Sequence, residues 1–149
     1  MEVVPPRSYQ DIVDCVEMYT AHEVDFEPDK KACIRFMECA WKTGKFVRLC
    51  INKDQIVGFI LADVVKILYV KVPVFQQLYF CSIGGIRGAK CAILLHEAMI
   101  SHAETKRIPL CASQCSHYDE DLKFAKFLEH QGWSRRGYLC FYKTSHFKE

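Results

Sequence analysis

One stretch constrains this chain more than any other. A β-rich run, Val74 to Ser82, passes through Ile83-Gly84-Gly85-Ile86-Arg87-Gly88 into a helical stripe at Cys91, Leu94, Leu95, Ala98, Met99 and His102. The side-chain period changes from two to about 3.6 across the turn, which marks a strand feeding a helix. Small residues line the junction: Gly84, Gly85, Gly88, Ala89 and Ala92, with Arg87 and Lys90 beside them. The first amides of a helix lack carbonyl partners and the dipole is positive there, so small residues let an anion reach the backbone. Two cations at that end oppose the dipole, which points to an anion close by. A pyrophosphate needs such a turn. The nucleotide patterns Gly-x-x-x-x-Gly-Lys-Ser/Thr and Gly-x-Gly-x-x-Gly are both unmet here. The strands before the turn also read as an antiparallel meander, not a βαβ unit.

Around this junction the chain reads α-α-β-β-β-turn-α-β-α-β-β. Pro5-Pro6-Arg7 leads into Ser8, an N-cap, with Asp11 in the first turn of a helix from Tyr9 to Ala21. A loop, His22 to Asp29, follows. The second helix carries Cys33, Phe36, Met37, Ala40 and Trp41 on one face, read as core, and Gly44 ends it. Strands are expected at Phe46–Ile51, Ile56–Val65 and Val74–Ser82, with Asn52-Lys53-Asp54 as a turn. Lys66 to Val72 either continues the second strand or bends away. A short strand at Ile108–Gln114, a helix at Asp119–Gln131 capped by Gly132, and two strands around Gly137 complete the order.

The 149 residues fit one domain spanning 1–149. Half are apolar and the net charge is +2 with mixed signs, so no basic stripe suggests nucleic acid. No apolar stretch reaches membrane-span length, and Met1 to Ser8 has no signal-peptide shape. Nine Cys, an odd number without framework spacing, mostly lie in apolar runs: Cys50, Cys81, Cys91, Cys111 and Cys140. They read as core thiols of a cytoplasmic protein rather than disulfide or zinc ligands. His96 and His102 read as boundary or surface residues.

The segment Arg87-Gly88-Ala89-Lys90-Cys91-Ala92-Ile93-Leu94-Leu95 resembles the coenzyme-A motif of the GCN5-related N-acetyltransferases (GNAT), Gln/Arg-x-x-Gly-x-Gly/Ala. Arg87 and Ala92 match its ends, whereas Lys90 stands where an internal Gly is usual. The variant Arg-Gly-Gly-x-Ala-Ala, associated with some bacterial and phage members, is closer. Downstream, Phe124 to Trp133 resembles the family's helix ending in Gly-Phe, and Gly137 to Lys143 its closing strand. The resemblance implies an α/β GNAT-like fold: a mixed, mostly antiparallel sheet flanked by about four helices.

It also implies an acyl-CoA-dependent N-acyltransferase with acetyl-CoA as co-substrate and a primary amine as acceptor. A homodimer is a possible assembly, with no membrane or nucleic-acid partner and no metal. In the family the strand before the loop splays from its neighbour, and its backbone pairs with pantetheine; here that is Phe80, Cys81 and Ser82. The amides of Gly88, Ala89, Lys90, Cys91 and Ala92, with Arg87, would hold the pyrophosphate. The family's acid, a Tyr on the last helix, corresponds to Leu128 here, so Tyr118 is the substitute candidate; Glu23, Asp25 and His117 are candidate bases. The rival reading is a degenerate protein of the same fold, a non-catalytic binding or structural module, which Leu128 and Lys90 favour. A bulky residue at Gly88 is expected to abolish acyl-CoA binding and leave the fold intact.

Overall fold

In the computed structural model, which describes residues 1–21, 27–114, 119–137 and 139–149, seven strands form one sheet in the order β1-β2-β3-β4-β5-β7-β6. The elements are β1 (Glu2–Val4), α1 (Tyr9–Thr20), α2 (Lys30–Lys42), β2 (Phe46–Asn52), β3 (Gln55–Val65), β4 (Val74–Ser82), α3 (Gly85–Thr105), β5 (Leu110–Gln114), α4 (Asp119–His130), β6 (Ser134–Arg136) and β7 (Leu139–Lys143). The expected order is met, with β1 added in front. That strand pairs antiparallel with β2, Val3 opposite Cys50. Three residues ahead of Pro5-Pro6 are too few to show a period, and a sheet edge tolerates the prolines that follow.

By contacts the chain divides into two compact units: Met1–Leu61 with Tyr79–His96, and Ala62–Leu78 with Glu97–Glu149. In the first, Ser8 Oγ accepts from the Asp11 amide at 3.4 Å and so caps α1. Arg7 donates to both Asp11 carboxylate oxygens and holds that buried acid below its ordinary pKa. Asp29 caps α2 in the same way through the Ala32 amide. The tight turn between β2 and β3 puts Lys53 and Asp54 at φ of 48° and 65°, the left-handed region. Within β3, Phe59, Ile60 and Leu61 are fully buried, so the strand is covered on both faces, which is why it reads as a continuous apolar run. Phe36 corrects the core reading of α2: it is 47% exposed, its ring edge set against Tyr79 at 5.7 Å, while Met37 and Ala40 are buried.

In the second unit, the 67–70 turn closes with the Val70 amide on the Ile67 carbonyl, so the chain bends away after Val65. β4 and β5 pair in parallel, Val74 with Leu110 through Gln76 with Ala112, which demands a crossover that α3 supplies. β7 pairs antiparallel with both β5 and β6. Val74, Leu110 and Ala112 are a buried cluster packed by Val65, Ile67, Val70, Val72, Phe141 and Phe147. Gly132 ends α4 at φ 91°, as the cap requires. Among the described residues, no helix is long and apolar enough to cross a membrane.

Candidate functional site

The junction after β4 begins with a strand that stays anchored past its last residue: the Ile83 amide donates to the Val57 carbonyl at 2.9 Å. Gly84 follows, then Gly85 at φ 77°, the left-handed entry that opens α3. The helix therefore starts earlier than the sequence motif suggests. In an α-helix the amide of residue i bonds to the carbonyl of i−4, and the cap residue Gly84 offers the first such carbonyl, to Gly88, so the orphan donors are the amides of Gly84, Gly85, Ile86 and Arg87. Of the expected anion-holding residues, Arg87 is among these donors. By the same geometry Gly88, Ala89, Lys90, Cys91 and Ala92 lie inside the ladder. A helix can begin at glycines because their backbone reaches φ values closed to other residues, and the apolar period alone does not mark that first turn.

The glycines of the junction differ in what surrounds them. A Cβ on Gly84 or Gly85 would meet nothing within 4 Å, so both backbones are open to a ligand. A Cβ on Gly88 would overlap the Ile83 carbonyl oxygen and stand 2.7 Å from its carbon. Gly88 is thus required by the turn's own closure, and the expectation that a bulky residue there spares the fold is overturned. Gly58, in mid-β3, plays the matching part from the other side. Its missing Cβ makes room for Cys91 Sγ and for the Cys81 carbonyl, which would lie 2.8 Å away. A lone glycine inside a strand pattern is the signal that could have found it.

Side chains divide cleanly around this turn. Arg87, Ala89 and Lys90 are exposed, and Ile86 is 91% exposed. Among the described residues no ion pair engages Arg87 or Lys90. Cys91 and Ala92 face inward, Cys91 Sγ donating to the Val57 carbonyl at 3.6 Å. Cys81 Sγ reaches the Met18 carbonyl at 3.9 Å. Burial pushes the thiols of Cys15, Cys50, Cys81 and Cys91 up, away from the thiolate a nucleophile needs. The expected core role of the cysteines in apolar runs holds: Cys50, Cys81, Cys91, Cys111 and Cys140 are all buried.

His96, read from sequence as a boundary or surface residue, is instead 3% exposed. Its Nδ1–H donates to the Ala92 carbonyl at 2.8 Å, and its ring meets Phe80 edge-on at 4.9 Å. Burial drives its pKa down to about 4, so the ring is neutral. Phe80 and Ser82 are half-buried, Cys81 buried. Alternation along β4 sets Phe80 toward His96 and Tyr79 toward Tyr19 and Phe36. Leu128, where the family pattern carries Tyr, is fully buried in α4. The candidates Glu23, Asp25, His117 and Tyr118 lie outside the described residues.

No family model and no curated protein matches the sequence. Solved structures do. An N-acetyltransferase from Staphylococcus aureus Mu50 superposes with TM-score 0.75 at 12% identity, over 97% of this chain and 98% of that one. A ribosomal-protein-alanine N-acetyltransferase from Brucella melitensis gives 0.74 at 12%, over 95% and 97%. The NatC complex bound to Gag peptide and CoA gives 0.72 at 11%, over 97% of this chain and 100% of the matched chain. The chain therefore has the GNAT acetyltransferase fold, a mixed seven-stranded sheet with four helices among the described residues.

Proposed function

We propose that this chain is an acyl-CoA-dependent N-acyltransferase, moving acetyl from acetyl-CoA to a primary amine by direct attack. The observation that carries the reading is the opening of α3. Its four orphan amides, two unobstructed glycines and two exposed cations, which no ion pair engages among the described residues, are what a diphosphate requires of a backbone. Arg87 and Lys90 would add charge to the amides of Gly84 through Arg87. Phe80, Cys81 and Ser82 would offer strand backbone to pantetheine. The described residues thus fit coenzyme A, with the amide set moved toward Gly84.

Direct attack suits the thiols described. Cys81 and Cys91 are buried with raised pKa, so neither serves as an acyl carrier. The amine, once deprotonated, attacks the thioester carbon; a C–N bond forms, the C–S bond breaks, and the departing thiolate takes up a proton. Glu23 and His117 are the proposed bases and Tyr118 the proposed acid, since Leu128 cannot donate. The reaction would run in the cytoplasm, where the eight free thiols of the described residues stay reduced.

The test is a calorimetric titration of coenzyme A against the wild type and Gly84→Phe. Gly84 has open space and no positive φ, so the variant keeps its melting temperature. Affinity is expected to fall about tenfold, or about 1.4 kcal/mol. Equal affinity in the two proteins would remove the turn from the site. Coenzyme A binding without turnover on an amine panel would favour the second reading, a non-catalytic module of this fold, for which the buried Leu128 is the specific support.

A further inference from the structure

A second anion-attracting feature lies in the unit of Ala62–Leu78 and Glu97–Glu149, built from side chains that the acyl-transfer reading does not use. A groove of about 890 Å³ runs between the turn after β3, the strands β6 and β7, and the C-terminal segment. Its volume falls in the range of small-molecule sites. The lining is apolar where Val70, Val72, Leu110 and Phe141 meet, and these are residues of, or packed on, the buried Val74 cluster. Around that apolar lining, among the described residues, stand four cations, Lys71, Arg136, Lys143 and Lys148, against one side-chain carboxylate, Glu149.

The charges are unevenly engaged. Lys143 Nζ is 2.9 Å from Glu149 Oε1 and 4.7 Å from the centroid of the Phe147 ring. Among the described residues, no ion pair engages Lys71, Arg136 or Lys148. The chain's own Phe147 and Glu149 thus lay an aromatic ring and a carboxylate on one lysine, while no such partner stands on the three further cations among the described residues. Salt between exposed groups is weak, so Glu149 is a displaceable occupant.

We propose that this groove binds a small amphipathic anion, an aryl or alkyl carboxylate whose apolar body lies on Val70, Val72 and Phe141 and whose head displaces Glu149 from Lys143. Apolar burial supplies affinity and the cations supply orientation, the usual division in such sites. An anion without an apolar body gains only the screened charge term. The ligand is distinct in class from the thioester carrier, and its site shares no residue with the α3 opening.

Trp133 makes the test direct. Its indole packs on Tyr142, a groove residue, at 5.6 Å, and the other Trp, Trp41, is removed by Trp41→Phe. In that full-length background, 2-naphthoate and decanoate are titrated while the Trp133 emission is followed, with inorganic phosphate as the bare anion. We expect saturable change with at least one carboxylate and none with phosphate at the same concentration. Lys143→Gln combined with Arg136→Gln should weaken binding about tenfold; both side chains are on the surface and the fold is checked by circular dichroism. Glu149→Gln should tighten binding two- to threefold, whereas Glu129→Gln, the same charge change on an exposed residue outside the groove, should not. No saturable response, equal affinity in the lysine–arginine variant, or equal tightening by the two glutamate variants overturns the proposal. Displacement of the probe by coenzyme A would overturn its separateness from the α3 opening.

Discussion

The opening of α3 and the groove beside Lys143 both present positive potential, yet they do so by different physics. At α3 the donors are main-chain amides, fixed in place by a turn whose closure depends on Gly88 lying against the Ile83 carbonyl and Gly58 against Cys91. In the groove the donors are ammonium and guanidinium groups on flexible stems above apolar side chains. A backbone site is rigid and already oriented, so its enemy is a Cβ in the wrong place. A side-chain site adapts, so its enemies are salt and a competing carboxylate. The difference teaches that the first region's donors are positioned by packing that the fold itself needs at Gly88, while the second region's donors are surface side chains.

The sharpest way to break this comparison is Gly88→Ala. A single methyl overlaps a backbone oxygen, so β4 or α3 must shift, and we expect a loss of at least about 3 kcal/mol in urea unfolding. A change under about 0.5 kcal/mol would mean that the turn yields freely and is not a rigid cradle.

Acid gives the next largest effect. The His96 ring has a folded pKa of about 4, depressed from 6.5 by burial. Between those values the unfolded chain binds the proton and the folded one does not. Stability is therefore full above pH 6.5 and falls as pH drops toward 4, by about 2 to 3 kcal/mol. His96→Gln should flatten that part of the profile. Asp11, held below its ordinary 3.8 by Arg7, loses its contribution only at lower pH, so the two are separable. An unaltered profile in His96→Gln would show that the ring is not what acid attacks.

The smallest of the three is Gly85→Ala. Space around it is open, so only the left-handed φ of 77° opposes the methyl, and about 1 kcal/mol is expected from thermal unfolding. A loss as large as that of Gly88→Ala would erase the distinction between a glycine required for its dihedral and one required for its bareness.

Ten of the eleven elements were legible in the chain itself, because each carries its own period, cap or turn residue. Ser8 and Asp11 announce α1, and Gly132 ends α4. The burial of Cys91 and Cys111 follows from apolar neighbours alone. β1 was not legible, since its three residues gain a strand's meaning only from β2 beside them. Phe36 looked like core and His96 like surface because a helical face is read from spacing, while what covers that face comes from elsewhere in the chain.

Local order, then, was written in the sequence: the strand–turn–helix at Val74 to His102, its small residues and its two cations. Where α3 begins, which glycines are open and which are closed, and how Lys143 meets Phe147 and Glu149 were decided only in three dimensions. The reason is physical. Propensity and period act over a few residues, but a Cβ clash, a buried ring or a displaced charge depends on atoms brought together by the fold.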